Sequence, residues 1–177
     1  MSFQRVDSQT AWKGRVLEVR IERFRHEDGE VAEREVIAHP GAVGVVAYDD
    51  EQVWLVRQPR EAAGEEGLLE VPAGKLDVEG EPPLETAKRE LAEEIGKAAA
   101  EWREVASFYT SPGFTNERVT VYAATGLCEA EAEADEEERI EIVPWPLERL
   151  DEAIADCHDS KSLIGLLWLA RERDRAA

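Results

Sequence analysis

Residues 74–96 read GKLDVEGEPPLETAKRELAEEIG and predict an amphipathic helix that is rich in acidic side chains. Pro82 and Pro83 are typical of a first helical turn, where a missing N–H group costs nothing. Gly96 suits the left-handed position at which many helices end. Apolar residues recur at intervals of three and four between these signals, which predicts one buried helix face. These residues are Leu84, Ala87, Leu91 and Ile95.

The predicted helix carries three carboxylates close together, because Glu90, Glu93 and Glu94 are related by i, i+3 and i+4 spacing. Glu81 lies one loop away. Like charges at this spacing destabilise a helix, so we expect a cation to compensate them. Mg²⁺ prefers carboxylate oxygens and retains water ligands for chemistry. The stretch therefore predicts a metal-binding helix, although a solvated charged helix is the commoner explanation of such a composition.

The whole chain has 177 residues, with 21 basic and 40 acidic side chains and a formal net charge of −19. This charge argues against nucleic acids and anionic membranes as partners. No basic segment followed by an apolar run opens the sequence, and the apolar stretch 163–170 is too short to span a bilayer. Cys128 and Cys157 lack the spacing of a zinc site or a disulfide framework. We therefore expect a cytoplasmic protein with two reduced thiols.

The joint pattern of residues 74–96 resembles the Nudix box. In that motif a glycine precedes a glutamate, and Arg-Glu-apolar-x-Glu-Glu-x-Gly follows after seven residues. The chain matches it at Glu81, at residues 89–94 and at both glycines. It departs from the motif twice, because six residues rather than five separate Gly74 from Glu81 and because Lys97 occupies a position that is usually apolar. Both departures lie outside the helix that carries the acids.

The resemblance implies an α+β fold, namely a Nudix-type α/β/α sandwich around a mixed sheet. It assigns residues 40–177 to the Nudix catalytic domain and leaves residues 1–39 as an additional strand or hairpin region for dimerisation. Alternation over residues 17–22, the Asp28-Gly29 turn and a return strand over residues 31–38 indicate this hairpin. The remaining strands are predicted at 42–48, 53–56, 68–71, 105–110, 119–124 and 140–143, with helices after Pro146 and over 163–170, the latter capped by Asp159 or Ser160.

The turn Ser111-Pro112-Gly113-Phe114 refines the resemblance, because Pro112 follows Gly96 by sixteen residues as in the ADP-ribose pyrophosphatase subgroup. The implied reaction splits ADP-ribose into AMP and ribose 5-phosphate. Another nucleoside diphosphate sugar as substrate and a sensor that binds without hydrolysis are alternatives. The subgroup also implies a homodimer. Its predicted substrate-binding residues here are Arg34, Glu35, Arg60, Pro112 and Gly113, of which the arginines suit phosphate oxygens.

The resemblance also implies the catalytic and metal-binding residues. The Ala73 carbonyl and four glutamates would hold Mg²⁺, or Mn²⁺ or another divalent cation; these glutamates are Glu90, Glu93, Glu94 and Glu138. Arg89 would orient the carboxylates, and Glu136 would be the general base. Residues 129–141 include eight acids, so the register in this run is ambiguous and Glu137 is an alternative to its neighbours. Glu93 is the candidate base if the run is only a solvated loop.

Overall fold

The computed structural model describes residues 1–15, 17–132 and 139–176. Ten strands and three α-helices follow one another within these residues. In chain order they are β1 (Phe3–Lys13), β2 (Glu18–His26), β3 (Val31–Ala38), β4 (Ala42–Tyr48), β5 (Gln52–Arg60), β6 (Glu65–Glu70), β7 (Ala73–Lys75), α1 (Pro83–Ile95), β8 (Lys97–Tyr109), β9 (Arg118–Glu129), β10 (Glu141–Pro146), α2 (Leu150–Asp156) and α3 (Ser160–Ala176). Within the described chain, no helix combines the length and apolar content needed to span a membrane.

The chain forms two compact units, and the first comprises Met1–Gly41 together with Tyr109–Arg118. Its three strands form an antiparallel sheet in the order β1-β2-β3. The predicted turn joins β2 to β3, with Gly29 at a φ of 87°. The turn segment after β8 belongs to the same unit, because the Ile37 N–H donates to the Phe114 carbonyl oxygen at 2.7 Å and Thr115 Oγ1 donates to the Ile37 carbonyl oxygen at 2.9 Å.

Strand β1 is an addition to the predicted two-stranded hairpin. All of its residues are exposed. Its pairing with β2 is interrupted by register shifts between Arg5 and Asp7 and between Thr10 and Trp12. Each irregularity resets the alternation of side chains between the two faces of a strand. Residues 3–13 therefore lack the period-two pattern by which a strand is predicted from sequence.

The second unit comprises Ala42–Phe108 and the described residues from Val119 onward. Its seven-stranded sheet has the order β10-β5-β4-β9-β8, with β6 paired to β5 and β7 paired to β4. Strand β4 is parallel to β9 and antiparallel to β5 and β7. The sheet is therefore mixed, as predicted.

The central strand β4 is covered on both faces. Val46 packs in a cluster with Leu166 and Leu169 of α3. Val43 and Val45 pack in a second cluster with α1 residues such as Leu91. Side chains alternate between the faces of a strand, so α1 and α3 cover opposite sides of the sheet. This arrangement confirms the predicted α+β class and the α/β/α sandwich.

Strands β4 and β5 separate after a short paired stretch, and strand β7, which precedes the acidic segment, pairs with β4 where they separate. They pair only at Ala47 with Trp54 and at Tyr48 with Val53. Beyond that point β6 pairs with β5 and β7 pairs with β4, so that Ala73 lies opposite Gly44. Residues 73–75 are consequently held by backbone pairing directly before the loop that leads to α1.

Helix α3 begins as predicted at Asp159, whose Oδ2 accepts hydrogen bonds from the Ser162 N–H at 2.9 Å and from Ser162 Oγ at 2.5 Å. Its close approach to β4 occurs at Gly165, where an added Cβ would lie 2.5 Å from Val46 Cγ2. Contacts this short do not occur between real carbon atoms. Glycine is therefore required at this position for a packing reason.

We predict that Gly165→Ala destabilises the protein by about 1–3 kcal/mol through overpacking. The sign is informative, because alanine in an ordinary helix interior is more favourable than glycine by up to about 1 kcal/mol. Urea unfolding followed by circular dichroism measures the change. Val46→Ala removes the obstructing methyl group, so Gly165→Ala should cost much less in that background. An equal cost in both backgrounds would show that the contact with Val46 does not determine the effect.

Candidate active site

Helix α1 begins and ends where its sequence predicts. It starts at Pro83, preceded by Pro82 in an extended conformation with a ψ of 147°. Thr86 Oγ1 donates to Glu81 Oε2 at 2.8 Å, which ties the preceding loop to the first turn. Gly96 adopts the left-handed conformation with a φ of 66°, and its N–H donates to the Ala92 carbonyl oxygen at 2.9 Å.

The packing of α1 on the sheet sets how deeply each carboxylate is buried. At about 100° per residue, Glu94 lies roughly 60° from the buried Leu91, Glu90 roughly 100° and Glu93 roughly 160°. Their exposed fractions follow this order, at 7% for Glu94, 14% for Glu90 and 32% for Glu93. The helix thus presents a graded acidic edge rather than a uniformly solvated face.

Arg89 joins the box glutamates by hydrogen bonds. Its Nη1 donates to Glu90 Oε1 at 2.9 Å and to Glu93 Oε2 at 2.8 Å, and its Nη2 donates to Glu81 Oε2 at 3.2 Å. The bonds from Arg89, followed by the bond from Thr86, lower the pKa of the Glu81 carboxyl. The arginine therefore holds three carboxylates in fixed orientations and keeps Glu81 ionised.

Glu94 is oriented by the backbone that precedes the box. Its Oε2 accepts a hydrogen bond from the Ala73 N–H at 2.9 Å. At the next residue, Gly74, a Cβ atom would overlap the Glu90 carboxylate. The absence of a side chain at Gly74 thus allows the backbone of β7 and the acidic edge of α1 to approach each other closely.

These residues fit a hard divalent cation by their donor chemistry. Carboxylate oxygens and backbone carbonyls are the ligands that Mg²⁺ and Ca²⁺ take in proteins. Among the described residues, no three His, Cys, Asp or Glu side chains converge in the arrangement of a metal cluster. In this structure Arg89 Nη1 lies between Glu90 and Glu93 and accounts for their orientation. The contacts of Glu90 with Gly74 and of Glu94 with Ala73 nevertheless bring the predicted donors together.

Arg60 lies at the end of β5, and its guanidinium binds a buried carboxylate. Its Nε and Nη2 donate to the two oxygens of Glu70 at 2.6 Å and 2.9 Å. The hydrogen bonds that Arg60 donates to Glu70 raise the pKa of Arg60, and the charges of Glu94 and Asp159 act in the same direction. Arg60 is therefore fixed by its environment and lies within electrostatic range of the acidic edge of α1.

The other predicted substrate-binding residues lie in the first unit. Arg34, Glu35, Pro112 and Gly113 all line one cavity of about 490 Å³. Phe3, Phe24 and Phe114 contribute aromatic surface to its wall. Residues that are far apart in sequence thus share one cavity.

Residues 38–164 match the NUDIX domain family. The chain belongs to the NUDIX family. The family predicted from the box is therefore confirmed, and the matched segment contains the whole of the acidic edge described above.

Three curated proteins and one solved structure are similar to this chain over most of its length. An ADP-ribose pyrophosphatase of Mycobacterium tuberculosis is 43% identical over 145 residues, which cover 81% of this chain and 70% of that protein. An ADP-ribose pyrophosphatase of Bacillus subtilis is 36% identical over 169 residues, which cover 93% and 90%. A methanol dehydrogenase activator of Bacillus methanolicus is 35% identical over the same length and shares of coverage. The crystal structure of an ADP compounds hydrolase matches with a TM-score of 0.85 at 22% identity, covering 100% of this chain and 97% of that one, which shows the shared fold.

The departure from the Nudix box at Lys97 has a structural explanation. Lys97 is the first residue of β8, and its side chain is only 11% exposed. Its Nζ donates to Glu129 Oε1 at 2.8 Å and lies 4.2 Å from the centroid of the Trp54 ring. The aliphatic stem fills an apolar position while the ammonium group has an anion and an aromatic face as partners.

Glu70 and its partner Lys161 were not among the residues predicted from the sequence to belong to the site. Lys161 Nζ donates to Glu70 Oε2 at 2.5 Å and forms an ion pair with Asp159 Oδ2 at 2.9 Å. One signal was available, because Glu70 is the only charged residue in the apolar run 67–73. A charge in such a run needs a partner when it is buried.

Glu136 and Glu138, and the alternative Glu137, lie outside the described residues, so their roles stay predictions.

Proposed function

We propose that this Nudix protein is a Mg²⁺-dependent hydrolase that cleaves the diphosphate of ADP-ribose to AMP and ribose 5-phosphate. The observation that carries the proposal is the acidic edge of α1 together with the preceding loop. Arg89 orients Glu81, Glu90 and Glu93 there, and the Ala73 N–H orients Glu94. The substrate is supported by the relatives named ADP-ribose pyrophosphatase, at 43% and 36% identity. Cys128 is exposed and Cys157 is buried, and neither forms a disulfide, which supports a cytoplasmic location.

The proposed cation ligands are the Ala73 carbonyl and four glutamates, namely Glu90, Glu93, Glu94 and Glu138. A divalent cation held there would neutralise charge at the diphosphate and lower the pKa of the attacking water. Mn²⁺ or another divalent cation would offer the same chemistry with oxygen ligands. The described donors are oriented by Arg89 and by the Ala73 N–H, so they are arranged before any ligand binds.

The reaction needs a water, a base and a leaving group. Water attacks one phosphorus of the diphosphate, and its proton passes to Glu136, or to Glu137 if the register of the acidic run differs. The anhydride P–O bond breaks, and both products leave as phosphate monoesters. Glu93 would take the proton if neither loop glutamate does. Arg89 holds the orientation of the carboxylates throughout without touching the substrate.

Substrate binding is assigned to Arg60 and to the cavity of the first unit. Arg60 would contact the diphosphate, because a guanidinium offers parallel N–H donors to phosphate oxygens. Arg34, Glu35, Pro112 and Gly113 would bind the nucleoside portion. A cavity of about 490 Å³ lies in the usual range for small-molecule sites and supports this assignment. Arg34 and Arg60 would also offset the repulsion between a phosphate substrate and a chain of net charge −19.

The proposal is tested by incubating the protein and Mg²⁺ with a panel of nucleoside diphosphate derivatives and identifying the products by ion-exchange chromatography. ADP-ribose should be consumed fastest and should give AMP and ribose 5-phosphate in equal amounts. Preferential cleavage of another nucleoside diphosphate sugar would replace the substrate but keep the reaction. Calorimetric binding of ADP-ribose without any product would establish a sensor instead of an enzyme.

We predict that Glu94→Gln lowers kcat/KM for ADP-ribose by at least about a hundredfold, because it removes a ligand charge. The fold should persist, since the amide oxygen of glutamine still accepts the Ala73 N–H. Glu85→Gln is the matched control, because Glu85 lies on the same helix and its side chain is 53% exposed and bonds only Lys88 among the described residues. Near-normal turnover by Glu94→Gln would show that the proposed metal site is wrong.

For the acidic run, we predict that Glu136→Gln lowers kcat strongly and changes KM little, because a base acts mainly in the transition state. Glu138→Gln should instead raise the Mg²⁺ concentration needed for half-maximal activity, and excess Mg²⁺ should partly restore turnover. The measurement is steady-state kinetics over a Mg²⁺ series. If both variants keep the kcat and Mg²⁺ dependence of the unaltered protein, the run is a solvated segment and Glu93 becomes the leading candidate base.

Residues 1–39 are proposed to form a homodimer with residues 1–39 of a second copy, while residues 40–177 carry out catalysis. The exposed strand β1 supports this proposal, because within the described residues it pairs with β2 alone and it exposes Phe3, Val6 and Trp12. An unpaired edge of this kind is a template for association. In the subgroup that the chain resembles, this region is exchanged between subunits, so Arg34 or Glu35 would reach the partner's site.

We predict a symmetric dimer of twice 19.8 kDa by light scattering at micromolar concentration. Mixing Arg34→Ala subunits with Glu94→Gln subunits should then restore about a quarter of the activity after random exchange, because half of the dimers are mixed and each has one complete site. Each variant alone should be nearly inactive. A fully active monomer, or a mixture that regains no activity, would contradict the shared site.

A further inference from the structure

The guanidinium of Arg60 is held by a carboxylate that is almost fully removed from solvent. Glu70 is 1% exposed, and both of its oxygens accept hydrogen bonds from Arg60, at 2.6 Å and 2.9 Å. A bidentate contact of this kind defines the plane of the guanidinium as well as its position. It also fixes which N–H groups of Arg60 remain for other partners.

Glu70 is in turn fixed by helix α3. Lys161 Nζ donates to Glu70 Oε2 at 2.5 Å, and the same ammonium group pairs with Asp159 at 2.9 Å. Ser162 Oγ accepts a hydrogen bond from the Val71 N–H at 2.8 Å, directly after Glu70 in the chain. The carboxylate is therefore anchored through its own oxygens and through the backbone that follows it.

Buried ion networks of this kind generally contribute little net stability. Removing charges from water carries a desolvation penalty that offsets most of the attraction within a buried ion pair. A hydrophobic group of similar volume would serve the core as well. The arrangement therefore suggests a role in orienting a side chain that acts on something else.

The Nη1 group of Arg60 remains available to bind another partner. The side chain of Arg60 is 42% exposed, and its Nη1 makes no hydrogen bond to any residue that the structure describes. Glu70, which binds Arg60, lies three residues before Ala73, whose N–H donates to Glu94 Oε2 at 2.9 Å. The guanidinium is therefore held at the same chain segment that contacts the acidic edge of α1. Its free donors are thus carried on a fixed guanidinium beside the proposed metal site.

We propose that Glu70 is the positioning residue for Arg60, holding its guanidinium so that the Nη1 donors meet the diphosphate of the substrate. Lys161 supports this role, because it shares the negative charge of Glu70 and leaves Arg60 with a net attraction for phosphate. The proposal rests on the proposed function in one respect, namely that Arg60 is a ligand of the diphosphate. Glu70 itself acts through Arg60 and does not touch the substrate.

The test is a double-mutant cycle of Arg60→Ala and Glu70→Gln. KM and kcat are measured with ADP-ribose and Mg²⁺, and Kd for ADP-ribose is measured by calorimetry in EDTA, where no turnover occurs. Each single variant should raise KM and Kd about tenfold, the usual effect of losing a charge-assisted hydrogen bond, with a smaller change in kcat. The double variant should bind no more weakly than Arg60→Ala alone, because Glu70 acts only through Arg60.

Glu172→Gln is the matched control, because Glu172, like Glu70, accepts hydrogen bonds from two basic side chains, here Arg103 and Arg175, both at 3.0 Å. It should leave KM and Kd unchanged. Glu70→Asp provides a second test if the glutamine variant does not fold, since it keeps the buried charge beside Lys161 but is one methylene too short to hold Arg60. It should weaken binding as Glu70→Gln does.

The outcomes separate this proposal from the proposed function. A folded Glu70→Gln or Glu70→Asp protein with unchanged KM and Kd, while Arg60→Ala weakens binding, would overturn the role of Glu70 alone. Additive effects in the double variant would overturn it equally. If Arg60→Ala itself leaves binding unchanged, Arg60 is not a substrate ligand and the proposal falls with that assignment. Binding of ADP-ribose without hydrolysis would overturn the proposed reaction, but the cycle on Kd would still decide the role of Glu70.

Discussion

The burial of both faces of strand β4 is the constraint on which the second unit depends. Its valines alternate between two apolar clusters, and each cluster requires a helix to exclude water. Helix α1 supplies one cover through Ala87, Leu91 and Ile95. Because that apolar stripe must face the sheet, the rotation of the helix about its axis is set by packing. The positions of the carboxylates follow from this rotation and do not need a metal to define them.

Acidic side chains on a packed helix repel one another, and two sets of hydrogen bonds offset this repulsion. Arg89 binds three of the glutamates directly, so each carboxylate has a fixed orientation and a nearby positive charge. Glu94 is instead stabilised by the Ala73 N–H, supplied by a strand that enters the sheet where β4 and β5 diverge. Both devices use donors of the chain itself. The site is therefore ordered while it still retains the oxygen-rich surface that attracts a cation.

Positive charge is concentrated at particular sites in this chain, whose net charge is −19. A phosphate substrate is repelled by the protein as a whole, so attraction must be local. Arg60 meets this need through a geometry that depends on Glu70 and Lys161, and Arg34 lines a cavity in the first unit. Cations on rigid supports attract phosphate more effectively than flexible surface side chains, because less rotamer entropy is lost when the substrate binds.

The sequence by itself determined the features that depend on neighbouring residues. Helix α1, its ends at Pro83 and Gly96, the spacing of its acids, the alternation in β2 and the apolar run of β4 are all local patterns, and the Nudix box is one of them. Tertiary structure decided what local patterns do not report. Strand β1 escaped prediction because bulges disrupt its alternation, and Lys97 is buried at the start of β8 because Glu129 and Trp54 are its partners. Glu70 meets Lys161 across 91 residues of chain. The partner of a buried charge is selected by how distant elements pack, and no periodicity in the sequence records that choice.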